Sequence, residues 1–507
     1  MERFLTRHRS RIIGVLSGFD RVVFRGTLPS IIHTTGMAMY LSSQRVLLKD
    51  FQPFAKKISQ QIIKHAQALA EKCGRRFEYI SSSRISKEQV ATRIMKQDKI
   101  QQGLICVLSC VEPCKSYTIV RDPKQRQLKL KKLERKCLHV YFYYVDREFG
   151  LMHLRLQTWF PFTIQVCING REWLARQMDR LGIAYEQQDN CFTRIENVSK
   201  AQQILNRLTK RHWMPLLNAW ERKVMPWKHH GYYWTMWQGE YATDVMFKDA
   251  ASLAEIYPAL IDHAVKHFDS PNVLRFLGRR TNARFNGEVR SDLSKRIEGV
   301  RIKHWVEENS IKMYDKQGSI LRIETTINNP KRFKVRRWAT RKGQRVFGWF
   351  TMRKGIADSE RRAELSLAAN GRYLEALSIV GNPSPSHRLL DPVSKRLRRN
   401  GRSYRPLRPI SPDEAELFKC IMHGEFAIQG FRNRQLRALL ELTAESNSIQ
   451  SAKASARITR KLRLLREHGL IRKISKTQYY RVTEKGHQVM ATAIAFRETD
   501  VALLKAA

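Results

Sequence analysis

LHVYFYYVDREFGLMHLRLQTWFPFTIQVCING, residues 138–170, decides the fold class. Residue types alternate through Leu138–Asp146 and again from Leu151, across the short turn Arg147–Gly150, which predicts an antiparallel hairpin running into a further strand. The next stretch, REWLARQMDRLGI, changes to a helical period of three to four. Upstream, DRVVFRGTL (Asp20–Leu28) and GLICVLSCV (Gly103–Val111) read as strands and Phe51–Lys72 as a helix. Residues 121–136, with eight basic and two acidic residues, read as a charged connector, and residues 200–280 as mainly helical and rich in tryptophan. The expected class is α+β: a large mixed N-terminal part with antiparallel hairpins, followed by a smaller helical C-terminal domain.

The charge names the kind of partner. With 93 Lys+Arg against 46 Asp+Glu, the formal net charge is +47, and a self-repelling surface of that size calls for a polyanion. At 507 residues and 42% hydrophobic content the chain can bury several cores, so it is not a disordered polycation. No run approaches the roughly 18 apolar residues of a membrane span, and MERFLTRHRSR lacks the apolar region of a signal peptide. The expectation is a cytoplasmic nucleic-acid-binding protein without a membrane partner. Eight cysteines, mostly in apolar runs, read as reduced thiols; Cys106, Cys110 and Cys114 recur every fourth residue without the second pair that zinc sites use.

A second hairpin carries the candidate chemistry. Ser310–Lys316 and Ile320–Ile327 flank Gln317-Gly318-Ser319, whose glycine suits a left-handed loop position. Pairing Lys316 with Ile320 sets Met313 opposite Ile323 on an apolar face, and puts Tyr314 opposite Arg322 and Lys312 opposite Glu324 on a polar one. Glu240 and Asp244, in EYATDVMF, share a face whether helical or extended and offer paired carboxylates for magnesium. His263 and His267 lie four apart in IDHAVKHFD, without the glutamate of a zinc-protease helix.

Residues 330–354 hold ten basic residues and no acids, interleaved with Phe333, Trp338, Phe347, Trp349 and Phe350. Alternating rings and cations suit single-stranded nucleic acid, with Arg336, Arg337 and Trp338 as the leading contacts. From Gly381 the chain turns proline-rich and basic to residue 411, which reads as a linker. The expected domains are 1–125, 126–380, the linker 381–411, and 412–507.

After the linker, SPDEAELFKCIM, FRNRQLRALLEL and SARITRKLRLLREHGL read as three helices, IRKISKTQYYRVT as two strands, and EKGHQVMATAIAF as a last helix. The order, with LRLLREHGLIRK followed by YYRVTEKG, resembles the winged helix-turn-helix of bacterial regulators. Residues 451–486 hold eleven basic and two acidic residues. The resemblance implies duplex DNA binding, with Arg457, Thr459, Arg460 and Arg463 toward the groove and Lys473, Lys476 and Arg481 toward phosphates. NSIKMYDKQGSILRIETTI in turn resembles a stretch of rolling-circle replication initiator proteins. That likeness implies Tyr314 as a nucleophile on a DNA phosphate, Lys312 and Arg322 stabilising charge, and Glu324 with Asp20 holding Mg²⁺ or Mn²⁺. The expected function is that of a replication-initiator or transposase-like DNA-binding protein of a mobile element or plasmid, with metal-dependent strand nicking. A non-enzymatic winged-helix regulator and an RNA-binding protein are the alternatives.

Overall fold

The computed structural model describes all residues except 125, 228–230, 280–287, 297–298, 342, 381–385, 400, 424–425, 427–429, 441–447, 475–476 and 500–507. It is a mixed α+β protein whose chain divides into two compact units. The strands in chain order begin β1 (Ile12–Thr27), β2 (Arg76–Ile80), β3 (Gly103–Arg121), β4 (Leu128–Asp146), β5 (Gly150–Gln157) and β6 (Ile164–Asn169). There follow β7 (Tyr185–Gln188), β8 (Cys191–Ile195), β9 (Tyr233–Phe247), β10 (Val289–Arg296), β11 (Gly299–Val306) and β12 (Asn309–Lys316). Then come β13 (Ile320–Thr326), β14 (Lys334–Arg341) and β15 (Gln344–Thr351).

The larger unit comprises Ile12–Ala250 and Met313–Leu367. Its sheet runs in the order β13-β9-β1-β6-β5-β4-β3-β2, with Met313–Lys316 of β12 beside β13. The register between neighbours is antiparallel except for β2 with β3, which is parallel. Strands β3 and β4 show why the sheet holds: their alternate residues enter different cores. Val107, Val140 and Phe142 join the main core, to which helix Phe51–Lys72 adds Phe51, Ala55, Ile62, Ala66 and Ala70. Cys106, Leu108, Tyr141 and Tyr143 join a second core with Ala91 and Ile94 of helix Lys87–Gln97. Each fully buried side chain of that size is worth about 1.5–3 kcal/mol, so a one-residue slip of register would exchange the two cores' contents.

Several expectations need correcting here. The stretch 121–136 is no connector: β3 pairs with β4 continuously from Cys106↔Tyr143 out to Arg121↔Leu128, and the domain boundary predicted at 125/126 falls in this hairpin's turn. Its lysines hid the strand: within Leu128–Lys136 Leu130 packs against the main core, while most of the remaining side chains of the arm are exposed. Within 200–280, β9 interrupts the helices and becomes a central strand. Cys114 and Cys137 are joined as a disulfide rather than held as thiols, while the other six cysteines are free. At the β12–β13 turn the left-handed backbone occurs at Gln317 (φ 55°) as well as Gly318 (φ 75°).

The smaller unit comprises Met1–Arg11, Ala251–Lys312 and Ala368–Ala507. Strands β10 and β11 form its antiparallel hairpin, and an aromatic group of Phe268, Phe276, His304 and Tyr373 packs within it, with His304 Nε2 3.1 Å from the Tyr373 hydroxyl. Its C-terminal part holds helices Pro412–Met422, Asn433–Leu439 and Ser448–Glu467, a short hairpin of Ile471–Lys473 with Tyr480–Val482, and helix Glu484–Glu498. Ile458, Leu462 and Leu465 are its buried helix stripe. The described part of the segment predicted as a linker, residues 386–399 and 401–411, contributes to that core: Leu390, Val393 and Leu407 pack with Phe418, Leu436 and Leu462. Three apolar anchors between the prolines outweigh the chain stiffness that suggested a spacer. Among the described residues, no helix is long and apolar enough to cross a membrane.

Candidate metal centre and nucleic-acid surfaces

Three neighbouring strands of the larger unit converge on one group of carboxylates. β9 lies between β1 and β13, and its even-numbered residues Glu240, Ala242 and Asp244 share a face with Arg322 and Glu324 of β13, registered as Arg322↔Asp244 and Glu324↔Ala242. On β1 the register passes from Phe19↔Tyr241 to Val22↔Gly239, so Asp20 and Arg21 together oppose Glu240. This is a β-bulge, the device by which a strand re-aims one side chain. The carboxylates of Asp20, Glu240 and Glu324 each place an oxygen within 4.8 Å of the others. Asp20 and Glu324 are buried and Glu240 half-buried.

The fourth carboxylate does different work. Asp244 accepts from the Nε and Nη2 of Arg322, the latter at 2.8 Å, and from Nη2 of Arg171 at 2.9 Å. Burial pushes the Asp244 carboxyl up, but the Arg322 and Arg171 guanidiniums outweigh it and hold the group below its ordinary value of 3.8. Arg322 also donates through Nη1 to Asp20 at 2.9 Å and through Nη2 to the Asn190 carbonyl at 2.8 Å. Asn190, in the β7–β8 turn, donates to the other oxygen of Asp20 and accepts from Asn169 at 2.7 Å. Asn169 in turn caps helix Gly170–Arg180, which delivers Arg171. A Cβ at Gly170 would lie 2.0 Å from the Phe19 carbonyl oxygen, so only glycine lets this helix start so close to the bulge.

Of the residues assigned from sequence, Asp20, Glu324, Arg322 and Tyr314 are brought together, with the Tyr314 hydroxyl donating to Glu324 at 3.0 Å. One role changes. Arg322 is fully buried and its fork is occupied by Asp20 and Asp244, so it positions carboxylates instead of meeting a phosphate. Burial, and then the neighbouring Glu324 charge, push the Tyr314 pKa well above 10. Lys312 is half-buried and belongs to the smaller unit. Glu240 and Asp244, expected as one pair, serve separate ends of the site. Arg171, Asn190 and Asn169 carry no local signal in the sequence. His263 and His267 stack on helix Tyr257–His267 with centroids 4.8 Å apart.

No protein-family model, curated protein or solved structure matches this chain. Chemistry alone therefore decides what the centre suits: three carboxylates from rigid strands are the hard oxygen donors that Mg²⁺ and Mn²⁺ take.

The basic-aromatic segment forms the β14–β15 ribbon, also in the larger unit. Arg336↔Trp349 and Trp338↔Phe347 are cross-strand pairs, and Trp338, Phe347 and Trp349 are 57%, 50% and 58% exposed. Arg345 lies over Trp338 at 5.4 Å and Arg336 over Phe347 at 5.0 Å. One face of the ribbon is thus a row of rings and cations. Arg337 points to the other face, over Phe350 at 5.7 Å, and Phe333 is buried with Ile327 and Met352, so neither shares the exposed row. In the C-terminal part Arg457, Thr459, Arg460 and Arg463 are exposed on helix Ser448–Glu467, and Lys473 and Arg481 on the hairpin. Thr459 donates to the Ser455 carbonyl and accepts from Asn433. Lys476 lies outside the described residues.

Proposed function

We propose that this chain is a DNA-processing protein of a mobile element or plasmid, replication-initiator or transposase-like, which cuts a DNA strand with Mg²⁺ or Mn²⁺ held by Asp20, Glu240 and Glu324. The observation that carries the proposal is the convergence of those three carboxylates from adjacent strands, with Asp20 aimed by a bulge. The net charge of +47 and the exposed aromatic row support nucleic acid as the substrate class.

A divalent cation in that oxygen cage supplies Lewis acidity toward a phosphodiester. Asp20, Glu240 and Glu324 bind it, Arg322 and Asn190 fix the Asp20 carboxylate, and the Tyr314 hydroxyl orients Glu324. In this reading the attacking oxygen is that of water: it bonds to phosphorus as the ester oxygen leaves, and the water's proton passes to the departing oxygen, giving a nick without a covalent protein adduct; attack by the Tyr314 hydroxyl would instead leave that adduct. The purified protein, incubated with Mg²⁺ or Mn²⁺ and supercoiled plasmid or single-stranded circular DNA, is expected to nick them and to stop when EDTA is added. Intact DNA with either metal on both substrates would sink the proposal.

The C-terminal helices and hairpin support the winged helix-turn-helix reading, with Ser448–Glu467 as the groove helix and the hairpin as the wing. Replacing Arg460 and Arg463 together by alanine should weaken sequence-selective duplex binding. Unchanged selectivity in a shift assay would remove that helix from the groove.

Single strands are assigned to the ribbon. Trp338→Ala should cost about 1–3 kcal/mol in affinity for oligothymidine with circular dichroism unchanged, since the ring is mostly in solvent. An equal loss on duplex DNA would mean that the ribbon reads backbone charge instead of stacked bases. RNA oligomers of matched length show whether the row prefers ribose.

A further inference from the structure

The outer arm of the β3–β4 hairpin gathers a second set of ligands, of a different chemical kind. Cys137 and His139 are two apart on β4 and so share a face. Cys114 on β3 is registered against Arg135, one diagonal step from Cys137 on that same face. One ligand atom from each of Cys114, Cys137 and His139 lies within 4.8 Å of the others. The two sulfurs are bonded, with their Cα atoms 6.7 Å apart. Since the six other cysteines are free and five of them buried, this bridge is no part of a disulfide framework.

The imidazole is prepared for a metal. His139 Nδ1 lies 3.1 Å from the carbonyl oxygen of Cys137. A carbonyl can only accept, so Nδ1 carries the proton and the lone pair stays on Nε2, the orientation that backbone carbonyls impose on metal-bound histidines. Cys114 and Cys137 are half-buried, so an ion can reach them.

We infer that, once the disulfide is reduced, Cys114, Cys137 and His139 bind one Zn²⁺ through two thiolates and an imidazole nitrogen, with water in the fourth position. Opening the bridge takes two electrons, from a phosphine that leaves as its oxide with water supplying the oxygen and both protons, or from two thiols that leave as a disulfide, and yields two thiols; Zn²⁺ then displaces both protons. At a Zn–S distance of about 2.3 Å, two thiolates on one tetrahedral ion stand about 3.8 Å apart, so the bridged and metal-bound states exclude each other. The every-fourth-residue cysteines of β3 do not form the site: at about 3.3 Å per residue, neighbours in that series are some 13 Å apart. The ligands come instead from across the hairpin.

The test uses the full-length protein, reduced with a phosphine under anaerobic conditions and freed of metal. One equivalent of Co²⁺ should give thiolate-to-cobalt charge transfer and the intense visible bands of a tetrahedral ion, and Zn²⁺ should bleach both. Cys137→Ser and Cys114→Ser should each lose the charge-transfer intensity in part and fail to hold Zn²⁺ against a chromophoric chelator. His139→Asn should weaken Zn²⁺ by more than about tenfold, with an unchanged far-ultraviolet spectrum, and Cys73→Ser should change nothing. Folded, reduced protein without a cobalt–thiolate band, or a band of undiminished intensity in Cys137→Ser, would overturn the site. Oxidised protein should show no cobalt–thiolate band; an equal band in both redox states would overturn it as well.

Discussion

Asp20→Asn is expected to lower metal-dependent DNA nicking by about 10³-fold or more, to the level of protein without metal. The ion's charge stabilisation is worth several kcal/mol, and each 1.36 kcal/mol is a factor of ten. Asp20 also accepts from Arg322 and Asn190, so a folding defect could imitate the effect. Glu240→Gln provides the control: half-buried, it should lose cleavage to a similar degree with the melting temperature nearly unchanged. Tyr314→Phe divides two chemistries. If water attacks, this variant keeps cleavage within about tenfold, the loss being one hydrogen bond that orients Glu324. If instead wild-type protein stays covalently attached to the cut end and Tyr314→Phe abolishes both adduct and cleavage, the phenol is the nucleophile despite its raised pKa. The initiator resemblance would then hold in its catalytic detail.

Arg322→Met should be the most destabilising single substitution near the site, by about 3–5 kcal/mol in urea unfolding, because it strips buried Asp20 of its cation and leaves buried Asp244 with Arg171 alone. The pH dependence has a definite sign. In the wild type the Asp244 pKa is depressed below 3.8, so its contribution is complete above that value and is lost as pH falls through the folded pKa. In the variant the same carboxyl is buried with less compensation and its pKa rises, so protonation relieves the strain as pH falls. The gap between the two proteins should therefore narrow between pH 7 and pH 4. Adding Asp244→Asn to Arg322→Met should recover part of the loss at neutral pH, a non-additivity expected of groups in contact. A loss under 1 kcal/mol at pH 7 would mean that water, and not Arg322, solvates these carboxylates.

Hairpins with an alternating core face were legible along the chain. Leu138–Asp146 with Leu151–Gln157 is paired as the pattern indicated, with Asp146 opposite Gly150, and Phe51–Lys72 is helical over the predicted range. The C-terminal elements came out in order because each carries its own punctuation, such as Pro412 at a helix start and Thr483 accepting from Gly486 at another. The segments that misled were those whose partners are remote. The Leu128–Lys136 arm is a strand because β3 pairs with it, and residues 386–411 fold because Leu390, Val393 and Leu407 find a core on helices further along.

Residue types and short-range period by themselves determined the α+β class, the net charge of +47, the hairpin that holds Tyr314 and Glu324, and the ring-and-cation content of 330–354. Tertiary structure alone decided the site. Asp20, Glu240 and Glu324 are more than 300 residues apart end to end, and only the strand order β13-β9-β1 with a bulge at Asp20 brings their oxygens within 4.8 Å. It likewise decided that Arg322 is spent on Asp20 and Asp244, and that Arg336 and Arg337 face opposite ways. The physical reason is the same throughout. Local pattern records which face of an element is wet or dry, whereas the partner across a sheet is chosen by register and closure over long loops, which no window along the chain contains.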